Sequence, residues 1–486
     1  MGVLSELEPK DVFHFFEEIT RIPHGSGNVD KISDYLVQFA KSRDLFYIQD
    51  KWKNVIIVKE ATPGYEQEPA VILQGHMDMV AVKKPDCDID MQTEGLRVAV
   101  DGDKVYAEGT SLGGDDGIAV AYGLALLDSH AISHPRLEVV ITVDEEVGMD
   151  GAREIDLSML QGHRMLNLDS EDEGIFLTSC AGGARVDCHM PLQDNLMQGI
   201  SYEITLGGLF GGHSGGEIHK ERGNANCLFG RLLWNLTQAM PVGLISVKGG
   251  LADNAIPRET KAVILIPPKY SALFAETTDD TASKIAAELS GKDPHFAVHV
   301  SESGKGEFSC VQPEDTKRLA AVLCTLPNGV QSMSADVPGL VETSLNLGIL
   351  EKREDGLHAQ FSVRSSVESA KHALIQKLAA VMALAGGTYE VSGDYPGWKY
   401  RADSPLREKM VKLYRDMYGE NPKVEGIHAG LECGILGSKI DDLDCVSFGP
   451  QMNDIHTTEE TLSISSTKRV WEYLVRLLEK KDKKNK

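Results

Sequence analysis

Hydrophobic positions early in the chain follow two periods. Ile32, Tyr35, Leu36, Phe39 and Ala40 recur at i, i+3, i+4, i+7 and i+8, which predicts an amphipathic helix. Short β-branched runs follow: Val55-Ile56-Ile57-Val58, Ala70-Val71-Ile72-Leu73, Leu137–Val143 and Met165-Leu166-Asn167-Leu168. Each predicts a buried strand, and the apolar segment Ile118–Leu127 predicts a buried helix between the second and third. Strands apolar on both faces, alternating with helices, indicate a largely parallel sheet covered on both sides. The fold class is α/β.

The pattern changes near Arg185. Tyr202–Leu206 alternates like a half-exposed strand, followed by a Gly/His-rich loop, a helix through Asn226–Leu236 and the strand Lys261–Ile266. Phe296–Val300 and Leu357–Arg364 predict further strands, and Thr316–Leu323 and Ala370–Leu384 further helices. Strand-helix units with one exposed face predict an α+β domain. From Ser404 the helix-strand alternation returns, closing with an amphipathic helix at Val470, Trp471, Leu474, Leu477 and Leu478. The expected organisation is therefore 1–186 and 394–486 sharing one sheet, with 187–393 inserted. The Lys-rich tail Lys480–Lys486 reads as a frayed end.

Composition narrows the function classes. Against 73 Asp+Glu stand 49 Lys+Arg, a formal net charge of −24 in 486 residues. That balance argues against nucleic-acid binding, which needs cations to neutralise phosphates, and it suits a protein that holds metal ions. No apolar stretch approaches the roughly 18 residues of a membrane span, and the first residues lack the features of a secretory signal. Eight scattered cysteines without a C-x-x-C pair read as reduced thiols, so a cytoplasmic protein is expected.

Each predicted strand of the first segment runs into acids or a histidine. Leu73 leads to Gln74-Gly75-His76-Met77-Asp78, Val143 to Asp144-Glu145-Glu146, and Leu168 to Asp169-Ser170-Glu171. The loop before the apolar helix is Ser111-Leu112-Gly113-Gly114-Asp115-Asp116-Gly117. If the strands are parallel, these groups converge beyond their carboxyl ends, where open α/β sheets bind ligands. Converging carboxylates repel unless cations neutralise them. Oxygen donors with one or two imidazoles suit Zn, Mn or Co. Alternation places His76 and Asp78 on one face, so Asp78 can orient the His76 ring. Of the adjacent pair Glu145 and Glu146, one can ligate metal while the other acts as a base.

The series Gly75–Val80, Leu112–Ile118, Asp144–Gly151 and Leu168–Glu171 resembles the co-catalytic di-zinc peptidases, a family of aminoacylases, carboxypeptidases and dipeptidases. Gly211–His219, Asn254–Glu259 and His428–Gly434 are similar specifically to the aminoacyl-histidine (Xaa-His, cytosol non-specific) dipeptidases. The resemblance implies two divalent metals, zinc foremost with Mn or Co as alternatives. His76 and Asp169 would hold one, Glu146 and His456 the other, and Asp115 would bridge both through a cis peptide to Asp116. Around His456 the sequence departs from the Gly-Pro-His spacing of close relatives, which leaves His428, His219 and His213 as alternatives. Glu145 would be the general base acting on a metal-bridging hydroxide, with Asp78 in the catalytic set. In the inserted lid and dimerisation domain, His213 would stabilise the tetrahedral intermediate. Arg364 would grip the substrate carboxylate, and Asn254, His428 and Glu432 would contact substrate. The implied activity is hydrolysis of unblocked dipeptides, Xaa-His or broader, by a homodimer.

Three rival readings remain. An N-acyl amino acid amidohydrolase or another short-peptide peptidase could share the fold, and so could a metal-stabilised scaffold without activity. Gly212-His213-Ser214-Gly215-Gly216 also fits the G-x-S-x-G elbow of serine hydrolases, which requires a strand running straight into a helix at the serine.

Overall fold

A computed structural model of the chain describes residues 2–482, so the tail residues 483–486 lie outside the description. The chain divides into two compact units, the first formed by Met1–Ser179, Tyr400–Gly426 and Leu431–Lys486, the second by Cys180–Lys399 and Ile427–Gly430.

The sheet of the first unit takes, in chain order, Phe46–Gln49 (β1), Val55–Lys59 (β2), Val71–His76 (β3), Leu137–Thr142 (β4), Arg164–Asn167 (β5), Ile175–Cys180 (β6), Lys423–Ile427 (β7) and Asp444–Ser447 (β8). Their spatial order is β1-β2-β4-β3-β5-β8-β6-β7. The centre is parallel, with β3 between β4 and β5 and β8 beyond β5. The flanks are antiparallel, β1 to β2, β2 to β4 and β6 to β8. β3 and β4 are buried along their whole length, which explains their lack of apolar-polar alternation. The predicted helix spans Gly114–Asp128 and is buried from Gly114 to Leu127. Because the central strands are parallel, the carboxyl ends of β3, β4 and β5 share one sheet edge, and the residues after them meet there.

The second unit is built on an antiparallel sheet ordered 260–266, 194–207, 297–311, 243–249, 341–353, 356–365, 182–191 and 388–395, with 329–333 paired to 341–353. Helices Ala225–Ala239, Ser271–Leu289, Pro313–Thr325 and Glu368–Ala385 share its core. The hydrophobic pattern does not reveal Ser271–Leu289, because its buried stripe is Phe274, Thr278, Thr281 and Ile285, half of it threonine. Along Gly182–Pro191, Ala184, Val186, Cys188 and Met190 are buried while Arg185, Asp187 and His189 face away from the core. Pairing of this strand with 356–365 commits the chain to the second sheet from Gly182. The compact units accordingly part at 179/180 and 399/400, whereas the sequence pattern suggested 186/187 and 393/394. Among the described residues, no helix is long and apolar enough to cross a membrane.

Candidate active site and metal centre

β3 delivers His76 with its ring almost wholly buried. Nδ1 lies 2.9 Å from the Asp78 backbone carbonyl, and the Asp78 carboxylate is farther, at 3.5 Å. The backbone carbonyl is thus the nearer orienter of the ring. The Asp78 carboxylate instead accepts from Ser26 Oγ at 2.8 Å and from the Glu145 N–H at 3.1 Å. Asp78 therefore ties the His76 segment to the start of the Glu145-Glu146 turn. His76 Nε2 faces Asp115 Oδ1 at 3.2 Å and Asp169 Oδ1 at 3.6 Å.

Asp115 is presented by a loop whose Gly113 has φ +67°, a conformation that favours glycine. Glu460 clamps that loop. Its carboxylate accepts the backbone N–H groups of Leu112 at 2.8 Å, Gly113 at 3.1 Å, Gly114 at 2.8 Å and Asp115 at 3.4 Å. The Asp115–Asp116 peptide is cis. Asp115 turns Oδ1 to His76 and Oδ2 to His456, whose Nε2 is 3.0 Å away. The same His456 nitrogen is 2.9 Å from Glu146 Oε1. Asp116 Oδ2 accepts the His76 backbone N–H at 3.2 Å. One carboxylate thus stands between two imidazole-acid pairs, His76 with Asp169 and His456 with Glu146.

Electrostatics test whether these residues fit metal ions. Asp116 Oδ1 is buried without a hydrogen-bond partner, and Asp115 Oδ1 and Glu146 Oε1 face only the imidazoles of His76 and His456, an arrangement that costs free energy unless something satisfies it. Burial pushes Asp169 up to about 6. Burial also drives Glu171 to about 7, reinforced by the charges of Asp115, Asp169 and Asp172. Asp116 rises well above the carboxylate range through burial and the nearby Asp169. His456 is raised to about 10, because the carboxylates of Asp115 and Glu146 hold its proton against the opposing effect of burial. Burial opposes charge on His76 as well, yet the carboxylates of Asp169, Asp115 and Asp78 outweigh it and raise its pKa. Protons gather where negative charge is in excess, and cations can replace them. Donor atoms of His76, Asp115 and Glu146, and of His76, Asp116 and Asp169, lie within 4.8 Å of one another. Imidazole and carboxylate donors at this spacing fit Zn, Mn or Co.

Beneath the cluster runs a buried polar chain that the sequence pattern does not reveal. Asn167 Nδ2 donates to Gln74 Oε1 at 2.5 Å, and Gln74 Nε2 donates to Glu432 Oε2 at 2.6 Å. Thr142 Oγ1 donates to the same Glu432 oxygen at 2.6 Å. Glu432 is fully buried and pushed up to about 8 by that burial. The expectation that Glu432 touches substrate does not suit a side chain with no exposed surface; its partners make it a support for β3 and β4. Glu460, Gln74 and Thr142 carry no motif, because their roles arise only from what the fold packs against them.

The remaining expected residues belong to the second unit. His213 Nδ1 accepts the backbone N–H groups of Gly215 at 3.2 Å and Gly216 at 3.1 Å. The ring therefore keeps its proton on Nε2. Arg364 is buried, with Nη1 3.4 Å from the Tyr395 hydroxyl and Nε without a partner. His428 Nε2 is 2.7 Å from Ser344 Oγ, and burial with the neighbouring Arg364 charge lowers its pKa to about 3. His219 and Asn254 are exposed, and the Asn254 carbonyl accepts the Ser214 N–H at 2.8 Å. Ser214 Oγ is buried without a partner. It follows the two-residue strand Gly212–His213, and the short 3-10 turn Ile218–Lys220 comes next, with the first full helix starting only at Ala225. This is not the strand-to-helix elbow of a serine hydrolase.

Comparison with known proteins identifies the family. The chain is 34% identical over 480 residues, 98% of its length and 99% of the relative's, to the cytosol non-specific dipeptidase of Escherichia coli. Among solved structures, aminoacylhistidine dipeptidase from Vibrio alginolyticus superposes with a TM-score of 0.94 at 37% identity, covering 99% of this chain and 98% of that one. Aminopeptidase PepT from Bacillus cereus shares the fold, with a TM-score of 0.56 at 14% identity over 97% and 98% of the two chains. The family model for peptidase family M20/M25/M40 matches residues 72–480. With that match and a relative aligned from end to end, the chain belongs to peptidase family M20/M25/M40.

Proposed function

We propose that this protein is a metal-dependent dipeptidase that hydrolyses unblocked dipeptides, Xaa-His among them, with zinc as the metal. The observation that carries the reading is the Asp115 carboxylate, which turns one oxygen to His76 and the other to His456. His76, Asp169, Glu146, His456 and the shared Asp115 are the residues that would hold a pair of ions. The names of the Escherichia coli and Vibrio alginolyticus relatives support dipeptides as the substrate class.

A pair of divalent cations supplies an acidified water and a Lewis acid for the peptide carbonyl. The chain supplies the rest. Glu145 is the general base: burial raises its pKa well above the carboxylate range, His76 offsets part of that rise, and the charges of Asp169, Glu432 and Glu146 reinforce it. In the metal-free chain that rise keeps a proton on Glu145. With cations held by the neighbouring carboxylates the group would ionise, and it could then take a proton from water and pass it to the leaving amine. Asp78 fixes where that base sits through the Glu145 N–H. His213, with its proton on Nε2, suits donation to the oxyanion of the tetrahedral intermediate. The buried Arg364 fork suits the carboxylate of a short substrate. A homodimer formed through the second unit and a cytosolic location complete the proposal.

The test is metal analysis of the purified protein joined to assays on Xaa-His dipeptides, β-alanyl-histidine, other dipeptides and N-acyl amino acids. Each is run before chelation, after it, and after zinc is restored. Dipeptide hydrolysis that chelation abolishes and zinc restores is the expected result. Preference for N-acyl amino acids, or turnover indifferent to chelation, would overturn the proposal.

A further inference from the structure

The second unit brings together another group of side chains of types that can ligate metal, His189, Asp355 and His358. His189 and His358 are directly paired residues on the neighbouring antiparallel strands 182–191 and 356–365. Both therefore project from the same face, and alternation makes it the face opposite the buried Val186, Cys188 and Met190. Their rings lie 4.7 Å apart, centroid to centroid. Asp355, in the turn that leads into the second of these strands, sits between them. His358 Nε2 is 2.9 Å from Asp355 Oδ1, and His189 Nε2 is 3.4 Å from Oδ2 and 3.2 Å from the Asp355 backbone carbonyl.

We propose that His189, Asp355 and His358 form a further metal site, made wholly of residues of the second unit, which takes a divalent transition cation such as Zn2+. A tetrahedral zinc with bonds of about 2.0–2.1 Å holds its donor atoms about 3.3 Å apart, close to the separations between these nitrogens and the carboxylate. Two neutral imidazoles and one carboxylate satisfy three positions and leave the fourth to water or a visiting ligand. The site is reachable, because all three side chains line an open groove shared with Thr388, Tyr389 and Glu390. Arg353, a cation lining that groove, is engaged by Glu351 at 2.9 Å. Ligands from two strands and the turn between 341–353 and 356–365 would let the ion pin three strands of the sheet together.

The experiment compares the full-length protein with a His189→Asn/His358→Asn double variant. Both are dialysed against the same zinc buffer, and zinc per chain is measured by mass spectrometry. Loss of one zinc per chain in the variant, with dipeptide hydrolysis unchanged, is the expected result; equal zinc counts would refute the site. Should the variant fail to fold, crystals of the unaltered protein soaked in zinc decide the matter. An anomalous peak bonded to both Nε2 atoms supports the proposal, and no peak among the three side chains refutes it.

Discussion

Glu460 gives the sharpest test of how the site is assembled. Its buried carboxylate accepts three backbone N–H groups within 3.1 Å and a fourth at 3.4 Å, all from the loop that presents Asp115. Glu460→Ala leaves those donors without a partner inside the protein. Hydrogen bonds to a charged group are worth about 1.5–3 kcal/mol each, so three good ones set an upper bound of about 5–9 kcal/mol. Burying the carboxylate itself costs several kcal/mol, which the substitution returns. Its pKa is accordingly raised by burial despite the donors around it. The net loss comes to about 3 kcal/mol, the remainder of those two opposing effects. Because Asp115 rides on this loop, metal affinity should also fall, by roughly the 10–100-fold typical when a group supporting a ligand is removed. Glu460→Gln should rescue little, since its amide would turn N–H groups toward backbone N–H groups. Urea unfolding of the metal-free protein reads the first effect, and competition with a chelating dye reads the second. A Glu460→Ala protein with unaltered unfolding midpoint and unaltered zinc affinity would refute the clamp.

Other outcomes follow from the same structure. Glu145→Gln should retain both metals but lose turnover by at least roughly the 10²–10⁴-fold typical of a missing general base; metal analysis beside steady-state rates checks both halves. His428 is buried neutral, with its pKa lowered from 6.5 to about 3. An unfolded chain takes up that proton first, so stability is intact above pH 6.5 and declines as pH falls toward 3, by about 2 kcal/mol at pH 5. His428→Gln should remove that slope from a series of urea curves, and an equally steep slope in the variant would exclude His428 as its source. For Glu432 the sign reverses. Its carboxyl is pushed from 4.5 up to about 8, so metal-free protein should lose stability as pH rises between those values. Glu432→Gln should flatten that dependence while keeping an acceptor for Gln74 and Thr142; a variant whose stability still falls across that window would rule Glu432 out.

Whatever depends on periodicity and near neighbours could be read from the order of residues. Runs such as Val55–Val58 and Leu137–Val143 could only be buried strands, and the uninterrupted apolar helix after Asp115 had to sit against them. Acids at the ends of those strands followed from the text once a parallel centre was assumed. Family resemblance then added His456, which no spacing could connect to Asp115 across 341 positions. Proximity in three dimensions accounts for everything else. Folding gave Glu460 its loop to clamp, moved Glu432 from a substrate contact to a buried support, and made the Asp78 carbonyl the nearer partner of the His76 ring. It also set His189 opposite His358 on adjacent strands. A side chain's chemistry is written in its residue type, but its partners, its burial and hence its pKa are set by chain segments that lie far away until the chain folds.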